Sequence, residues 1–261
     1  MRVAGLHDIH GNLPALEAVL EDVHRAGVDR VVIGGDVVPG PMPRETLERL
    51  LDLDLPVQFV HGNGDLAVLA QMAAADPASV TYWGTVSGQP LSEALAESVR
   101  WTARELPPEY RAVIAGWPKT LRLEISGLGQ VLFCHATPRS ETEVFGRLTA
   151  EDRLLPLFEG LGVSVVVCGH THMQFDRMVG RTRVVNAGSV GLPSGDPGAL
   201  WVLLGPDVQL RCTAYDRAKA AEVLRNTRYP RAHLIAQHVV EPPPAQEMLD
   251  LISAHELAEG R

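Results

Sequence analysis

The sequence is poor in cysteine and aromatic residues, and it has no long apolar run. Its 261 residues include three cysteines, and aromatic residues make up 5% of the chain. Three isolated cysteines without a Cys-x-x-Cys pair favour neither a disulfide framework nor a zinc ribbon. We therefore expect Cys134, Cys168 and Cys212 to be reduced, buried thiols in a cytoplasmic protein.

The sequence also lacks the usual features of membrane, secreted and nucleic-acid-binding proteins. No apolar run approaches the length of a membrane span, and the first residues lack the basic and apolar regions of a signal peptide. A formal net charge of -9 provides no basic footprint for nucleic acid. We therefore expect no membrane or nucleic-acid partner, and a nuclease is disfavoured. Because bound divalent cations reverse the charge locally, an anionic substrate is still compatible with this composition.

The first sixty residues alternate short apolar runs with amphipathic helical patterns. The apolar runs predict buried strands at residues 2–6, 30–34 and 57–61, with helices between them. Asn12 is suited to cap the first helix and Gly27 to end it. This βαβαβ order implies a parallel sheet, in which ligands bind beyond the carboxyl ends of the strands.

The rest of the chain is predicted to add a helical segment, more strands and a helical tail. Residues 66–118 carry no strong strand signal and are interpreted as a helical insertion after the third strand, with the clearest helix at 91–106. The insertion is either a cap over one side of a site or a plain structural layer. Further strands are predicted at residues 121–125, 131–134, 163–168, 182–185, 200–204 and 208–214. We interpret residues 1–261 as one α/β domain in which two sheets lie between helices. Residues 216–261 form its C-terminal helical extension, with a last helix near 245–258.

Side chains that can bind metal follow the predicted strands at five places. These residues, called here the predicted ligand set, are Asp8, His10, Asp36, Asn63, His135, His170 and His172. Seven ligands are too many for one tetrahedral zinc ion but suit two ions that share a bridging carboxylate. Nitrogen and oxygen ligands without thiolate suit divalent Mn, Fe, Zn or Co, and the donors alone do not choose among them. Mn²⁺ is our first expectation, with Ni as a further candidate. Two such ions can hold a bridging hydroxide and clamp a phosphoryl group.

Taken singly, several of these residues have simpler interpretations. His135 alone would be a structural histidine, Asp36 a turn residue and Asn63 a helix cap. Arg139 is either a contact to substrate phosphate or a solvated loop residue. His61 is either a proton donor or an ordinary polar residue at a strand end. Four histidines without metal spacing are predicted to lie on the surface: His24, His233, His238 and His255.

The order of the motifs resembles that of the calcineurin-like metallophosphoesterases, in particular the small bacterial and archaeal members. The resemblance runs from residue 1 to about 193 and is carried by Asp8-Ile9-His10, Gly35-Asp36, Gly62-Asn63-Gly64-Asp65, His135, Gly169-His170-Thr171-His172 and Asn186-Ala187-Gly188-Ser189-Val190-Gly191. It implies a four-layer αββα sandwich. It also implies one ion held by Asp8, His10, Asp36 and His172, and a second held by Asp36, Asn63, His135 and His170. Asp36 is then the bridging ligand.

Two positions depart from the commoner pattern of that family. Gly64 stands where many members have a histidine that binds phosphate and protonates the leaving group, so the usual general acid is missing. His7 stands where a serine is usual, and we expect it to be buried in a supporting role. The chain also lacks the Asp-Arg-Gly sequence that protein phosphatases of this superfamily carry after the second motif. A small phosphomonoester or phosphodiester is therefore the expected substrate.

The sequence thus predicts a two-metal phosphoesterase in which a metal-bridging hydroxide attacks phosphorus. Asp36 and Asn63 are the predicted catalytic residues, and Asn63 and Arg139 the predicted substrate contacts. The alternative is a non-enzymatic scaffold or binding protein on the same fold. A homo-oligomer is compatible with the sequence.

Overall fold

A computed structural model describes residues 1–76, 80–81 and 91–257. Ten strands lie in this part of the chain: β1 (Val3–Leu6), β2 (Arg30–Ile33), β3 (Val57–Phe59), β4 (Thr120–Ile125), β5 (Gly129–Cys134), β6 (Val165–Cys168), β7 (Phe175–Val179), β8 (Thr182–Asn186), β9 (Ala199–Leu204) and β10 (Val208–Thr213). Nine helices accompany them there: α1 (Leu13–Ala26), α2 (Pro43–Leu51), α3 (Asn63–Ala73), α4 (Glu93–Glu105), α5 (Tyr110–Ala115), α6 (Glu151–Phe158), α7 (Arg217–Arg225), α8 (Ala232–Val240) and α9 (Ala245–His255).

The strands form two five-stranded sheets. The first has the order β10-β9-β1-β2-β3, in which β1, β2 and β3 are parallel, β9 is antiparallel to β1, and β10 is antiparallel to β9. The second has the order β4-β5-β6-β8-β7, in which β5, β6 and β8 are parallel. In both sheets the parallel strands therefore send their carboxyl ends to one edge.

Three apolar layers hold the sheets and helices together. Between the sheets, Val3 and Val202 of the first pack in one cluster with Phe133 and Val167 of the second. The outer face of the first sheet packs on α1, and the outer face of the second packs on α6. Burial of these faces from water is the main force that holds the layers together. This confirms the predicted αββα sandwich.

Helix α1 begins and ends at the residues that its sequence predicts. The Asn12 side chain accepts a hydrogen bond from the Ala15 N–H at 3.2 Å and so caps the first turn. Gly27 ends the helix in the left-handed conformation, with φ of 60°. Asn12 also donates to the Gly191 carbonyl at 2.9 Å, which fixes the start of α1 against a distant loop.

Several predicted elements differ from those observed. Helix α6 and strand β7 were not predicted, and the helix predicted at 91–106 is observed at Glu93–Glu105. Parts of the predicted helical insertion, residues 77–79 and 82–90, lie outside the described residues, as do residues 258–261 of the C-terminal extension.

One prediction of burial is wrong, and two of the four surface predictions hold only in part. Cys212 is exposed, because it lies on β10, an edge strand whose four central residues face solvent. His238 and His255, predicted to lie on the surface, are partly buried, and His238 Nε2 lies 2.8 Å from the Pro193 carbonyl oxygen. The packing of α8 against the body of the protein accounts for the burial of His238.

No helix among the described residues is long and apolar enough to cross a membrane.

Candidate metal centre

The seven residues of the predicted ligand set lie together beyond the carboxyl ends of the parallel strands, six of them in loops and Asn63 at the start of α3. The loops after β1 and β2 are joined by backbone hydrogen bonds, from Asp8 N to Gly35 O and from His10 N to Asp36 O, both 3.0 Å. The two sheets are joined by the His170 N–H, which donates to Asp8 Oδ2 at 2.8 Å. Ligands separated by more than 160 residues in sequence therefore face one another.

The four histidines form two pairs with facing ring nitrogens. His10 Nε2 lies 3.2 Å from His172 Nε2, and His135 Nε2 lies 3.2 Å from His170 Nδ1. The Asp36 carboxylate lies between the pairs. Its Oδ2 is 3.7 Å from His10 Nε2, and its Oδ1 is 3.6 Å from His135 Nε2. One carboxylate thus presents one oxygen to each pair.

Backbone carbonyls fix the tautomers of three of these rings. Nδ1 of His10, His135 and His172 lies 3.3, 3.0 and 2.8 Å from the carbonyl oxygens of Pro39, Gly34 and Leu192, respectively. Because a carbonyl oxygen can only accept, each Nδ1 carries the proton in the neutral ring. The lone pair of each Nε2 therefore points into the centre of the site, as in metal-ligating histidines.

This arrangement fits a divalent cation. Without one, His10 Nε2 and His172 Nε2 would bring two lone pairs together. Asp8 Oδ1 is buried, has no hydrogen-bond partner in the described part of the chain, and lies 3.4 Å from His172 Nε2. Ligand atoms within 4.8 Å of one another occur in two groups of described residues, one comprising Asp8, His10 and His172, the other Asp8, Asp36 and His135. Buried unpaired acceptors are costly unless a cation satisfies them.

The Asn63 amide is compatible with the site either with or without a cation. Its Oδ1 lies 3.0 Å from His135 Nε2, so that an oxygen faces a ring lone pair. The reversed amide would donate its NH₂ to His135 Nε2 and His170 Nδ1, both at 3.0 Å. The reversed orientation satisfies the site without metal, whereas the oxygen-inward orientation requires a cation. The hydrogen-bond chemistry of Asn63 thus depends on metal binding.

Five of the seven ligand residues have left-handed backbone conformations. Their φ angles are 55° for Asp8, 49° for His10, 50° for Asp36, 70° for His170 and 57° for His172. Among the described non-glycine residues, Leu257 alone shares this feature. Such conformations cost roughly 1–3 kcal/mol each and are concentrated at functional sites.

The pKa values of two residues of the predicted ligand set, Asp8 and His170, are both lowered, for different reasons. Burial of the Asp8 carboxyl opposes its ionisation, but His172 and His135 outweigh this and lower its pKa. Burial is the main cause that lowers the pKa of His170 to about 3, and the neighbouring His135 contributes in the same direction. A carboxylate and a neutral imidazole are the protonation states that bind metal.

Asp65 and Gly64 support the loops around Asp36. The buried Asp65 carboxylate accepts hydrogen bonds from the N–H groups of Asp36 at 2.8 Å, Val38 at 3.1 Å and Gly62 at 2.9 Å. Burial is the main cause that raises the pKa of Asp65 to about 7, and the negative charge of Asp36 adds to it. The hydrogen bonds from the N–H groups oppose this increase in pKa. Gly64 N donates to Asp36 Oδ1 at 2.7 Å. Three N–H donors thus position the loop that carries Asp36.

Other supporting residues were not given a role by sequence reasoning. Ser189 Oγ donates to the Asp8 carbonyl at 2.7 Å, and Asn186 Nδ2 donates to the Gly169 carbonyl at 2.6 Å. The signal for them was the polar segment that follows β8, which served in the sequence only to mark the family resemblance. His7 is fully buried, as expected, and burial lowers its pKa to about 4.

Two cavities open from the ligand residues. One of about 250 Å³ is lined by His10, Asp36, Asn63, His170 and His172 together with C-terminal residues that include Tyr229 and Arg231. The other, of about 390 Å³, shares His10, Asp36, Asn63 and Tyr229 and extends along apolar side chains of α3 and α4. Helices after the third strand therefore cover one side of the site, and the C-terminal extension covers another.

The structure does not bring Arg139 into either cavity. Its guanidinium pairs with Glu143, with Nε 2.8 Å from Oε1, because Glu143 is buried beside it in the same loop. His61 also lies outside both cavities, and its Nδ1 is 3.6 Å from Glu141 Oε1. The lining of these two cavities therefore gives no support to the predicted substrate contact of Arg139.

Together, the fold and the site define a metal-binding αββα sandwich hydrolase. A family model described as the calcineurin-like phosphoesterase superfamily domain matches residues 1–205. The chain therefore belongs to the calcineurin-like phosphoesterase superfamily, which confirms both the predicted family and the predicted class of enzyme, a hydrolase acting on phosphoester bonds.

Curated relatives and solved structures match most of the chain. The uncharacterised protein MJ0912 of Methanocaldococcus jannaschii is 27% identical over 248 residues, covering 87% of this chain and 93% of the relative. Phosphodiesterase YfcE of Escherichia coli K12 is 27% identical over 235 residues, covering 87% and 99%. The structure of hypothetical protein PH1004 from Pyrococcus horikoshii OT3 matches with a TM-score of 0.77 and 22% identity, covering 91% of this chain and 98% of that one. A metallophosphoesterase from Sphaerobacter thermophilus matches with a TM-score of 0.68 and 24% identity, covering 92% and 98%. These two structures support the fold.

Proposed function

We propose that this protein is a two-metal phosphoesterase that hydrolyses a small phosphomonoester or phosphodiester. The proposal rests on one observation: the four imidazoles form two pairs, and the Asp36 carboxylate lies between the two pairs. Two donor groups that share one carboxylate match the ligand requirement of two ions. The relative named phosphodiesterase YfcE is consistent with this reaction class.

The residues would be divided between two ions. Asp8, His10, Asp36 and His172 would hold one ion, and Asp36, Asn63, His135 and His170 the other. Mn²⁺ is our first choice, with Fe, Zn, Co and Ni as alternatives, because the donors are nitrogen and oxygen without thiolate. When bound, two such ions supply an activated water and neutralise the charge of the phosphoryl oxygens.

The side chains of this protein would orient the reactants. The carbonyls behind His10, His135 and His172 hold the rings in the tautomer that leaves each Nε2 free. The Asn63 amide lines both cavities and would help to orient the substrate. Cavities of about 250 and 390 Å³ suit a small molecule. No side chain at Gly64 is present to protonate the leaving group.

The alternative is a scaffold on the same fold that has no catalytic role. The seven predicted ligands that lie together count against it, since five of them hold strained backbone conformations of the kind concentrated at functional sites. The low cysteine content supports a cytoplasmic site of action. We interpret the chain as a single domain.

Hydrolysis of 4-nitrophenyl phosphate and bis(4-nitrophenyl) phosphate tests the proposal. Protein stripped with chelator is expected to be inactive and to recover activity with Mn²⁺ or another divalent ion, and metal analysis is expected to give two ions per chain. Asp36→Asn is expected to bind fewer ions and to lose at least about 100-fold in kcat/KM. Asp54→Asn, at an exposed loop position, is the control.

The outcomes separate the two functions. Absence of hydrolysis with every divalent metal, in a folded protein that binds metal, would favour the scaffold. A fully active Asp36→Asn variant would refute the ligand assignment.

A further inference from the structure

Arg231 is a cation that has no role in the proposed reaction. It lies immediately before α8 and is partly buried. It lines the cavity of about 250 Å³ that His10, Asp36, His170 and His172 also line. Residue 231 also lies beyond residues 1–205, the part that matches the family model. The C-terminal extension therefore delivers a guanidinium to the predicted metal centre.

Within the described part of the chain, the Arg231 guanidinium has no hydrogen-bond or ion-pair partner. Other arginines of the same region do have partners. Arg217 donates to the Val240 carbonyl at 2.8 Å, and Arg139 pairs with Glu143. A partly buried cation without an anion is unfavourable, and a guanidinium retains its charge at every relevant pH. The position is therefore suited to a ligand that brings negative charge.

The chemistry of the cavity selects the kind of anion. A guanidinium presents parallel N–H donors that match two oxygens of a phosphate. The same cavity exposes residues of the predicted ligand set, where phosphoester chemistry would occur. A phosphoryl group in this cavity would thus meet the metal ligands on one side and Arg231 on the other.

We propose that Arg231 binds the phosphoryl oxygens of the substrate and so is a substrate-binding residue. The proposal rests on the proposed phosphoesterase function, and it assigns to Arg231 the phosphate contact that the sequence had predicted for Arg139. Neighbouring Tyr229 is buried and packs on Trp101 of α4, with ring centroids 5.3 Å apart. This packing holds the segment that carries Arg231 against the body of the protein.

The test measures phosphate binding separately from hydrolysis. Inorganic phosphate is the probe, since it has the same oxygens and requires no turnover. We expect Arg231→Gln to weaken inhibition by phosphate about 10- to 100-fold and to raise KM by a similar factor. Arg231→Lys, which retains the charge but not the paired donors, is expected to fall between Arg231→Gln and the parent protein. Arg228→Gln changes an exposed arginine three residues away and is the matched control.

Two further readouts distinguish binding from a structural role. Phosphate is expected to raise the Tm of the parent and of Arg228→Gln, and to leave the Tm of Arg231→Gln unchanged. Metal content is expected to be equal in all four proteins, and the Tm without phosphate is expected to be no lower in the variants than in the parent. A lower metal content or a lower Tm of Arg231→Gln without phosphate would overturn the proposal in favour of a structural role.

The outcomes also separate this proposal from the proposed function. An active parent whose KM and phosphate inhibition do not change in Arg231→Gln would refute the role of Arg231 and leave the phosphoesterase intact. An inactive parent that binds phosphate through Arg231 would refute the phosphoesterase and support the anion site. A parent that neither hydrolyses esters nor binds phosphate would refute both.

Discussion

At the scale of single residues, Gly64 shows how closely the loops of the site approach one another. A Cβ at this position would lie 2.6 Å from the Val38 carbonyl oxygen and 2.8 Å from Pro39 Cδ. Both contacts are shorter than real Cβ contacts, and the first involves backbone, which cannot move away cheaply. The absence of the histidine that the family pattern has here is therefore matched by a backbone that leaves no room for it.

Gly64→Ala is expected to lower the free energy of unfolding by about 1–3 kcal/mol, because the added methyl group must displace the Val38–Pro39 backbone. Gly64→His is expected to be at least as destabilised and to gain no activity. Urea denaturation and ester hydrolysis measure the two effects. Gly116→Ala is the control, since a Cβ there has ordinary contacts of 3.4 Å or more. A stable Gly64→His protein with increased activity would contradict the expectation.

The sequence predicted which residues of the site come together, but not all of their roles. Ligands that follow buried strands share one sheet edge, so alternation of strands and helices was enough to group Asp8, Asp36 and Asn63. The position of Arg231 in the cavity that His10 also lines could not be predicted, because no local sequence pattern connects residue 231 to a loop near residue 10. Arg139 was close to His135 in sequence, yet a buried glutamate in its own loop binds it.

At the scale of elements, Asn12 connects the first helix to a distant loop. It caps α1 at the Ala15 N–H and donates to the Gly191 carbonyl. Asn12→Ala is expected to lower the free energy of unfolding by about 2–4 kcal/mol, since a cap and a buried acceptor both lose their partner. Thermal or urea denaturation measures the loss.

Asp216→Ala is the matched control for Asn12→Ala. Asp216 caps α7 by accepting from the Lys219 N–H at 2.9 Å, and that hydrogen bond is exposed. The expected loss there is about 1 kcal/mol, which corresponds to a cap alone. Equal losses of unfolding free energy in the two variants would show that the hydrogen bond to the Gly191 carbonyl contributes nothing to stability.

There are specific physical reasons why α6 and β7 were not predicted from the sequence. Helix α6 contains Pro156, which normally argues against a helix interior. Strand β7 is an edge strand with two buried residues among five, so its apolar signal is weak. By contrast, β5 and β6 are largely or wholly buried and carry continuous apolar runs that predict strands directly.

At the scale of the whole molecule, the centre depends on the packing of two sheets and a C-terminal extension. The loops after β1 and β2 come from the first sheet, and those after β5 and β6 from the second. Two sheets between helices were inferred from the order of the predicted elements, and the four-layer αββα form followed from the family resemblance. The extension packs through α7 and α8 on Trp101, a long-range contact that periodicity does not encode.

The burial of the cysteines provides a test of this packing. Cys134 and Cys168 lie in the second sheet, and burial raises the pKa of both thiols. Ellman's reagent is therefore expected to label one thiol in the folded chain, Cys212, and three in denaturant. Burial, and then Asp196, also raise the pKa of Cys212, so labelling is expected to accelerate above neutral pH, as the reactive thiolate forms.

Cys212→Ser is the control for the labelling experiment. In this variant, the number of thiols labelled in the folded chain is expected to be zero. Labelling of two or more thiols in the folded parent protein would show that the second sheet is more open than the structure indicates.

The left-handed ligand residues have a consequence for evolutionary change in this fold. Glycine adopts that conformation without steric cost, so His10→Gly removes a proposed metal donor and relieves backbone strain at the same time. Without metal, this variant is expected to unfold at a urea concentration no lower than that of the parent, and a lower midpoint would contradict the idea. With metal, the parent is expected to be the more stable protein, because ions bind the folded chain. Selection for activity, rather than for folding, would then be what retains the ligands.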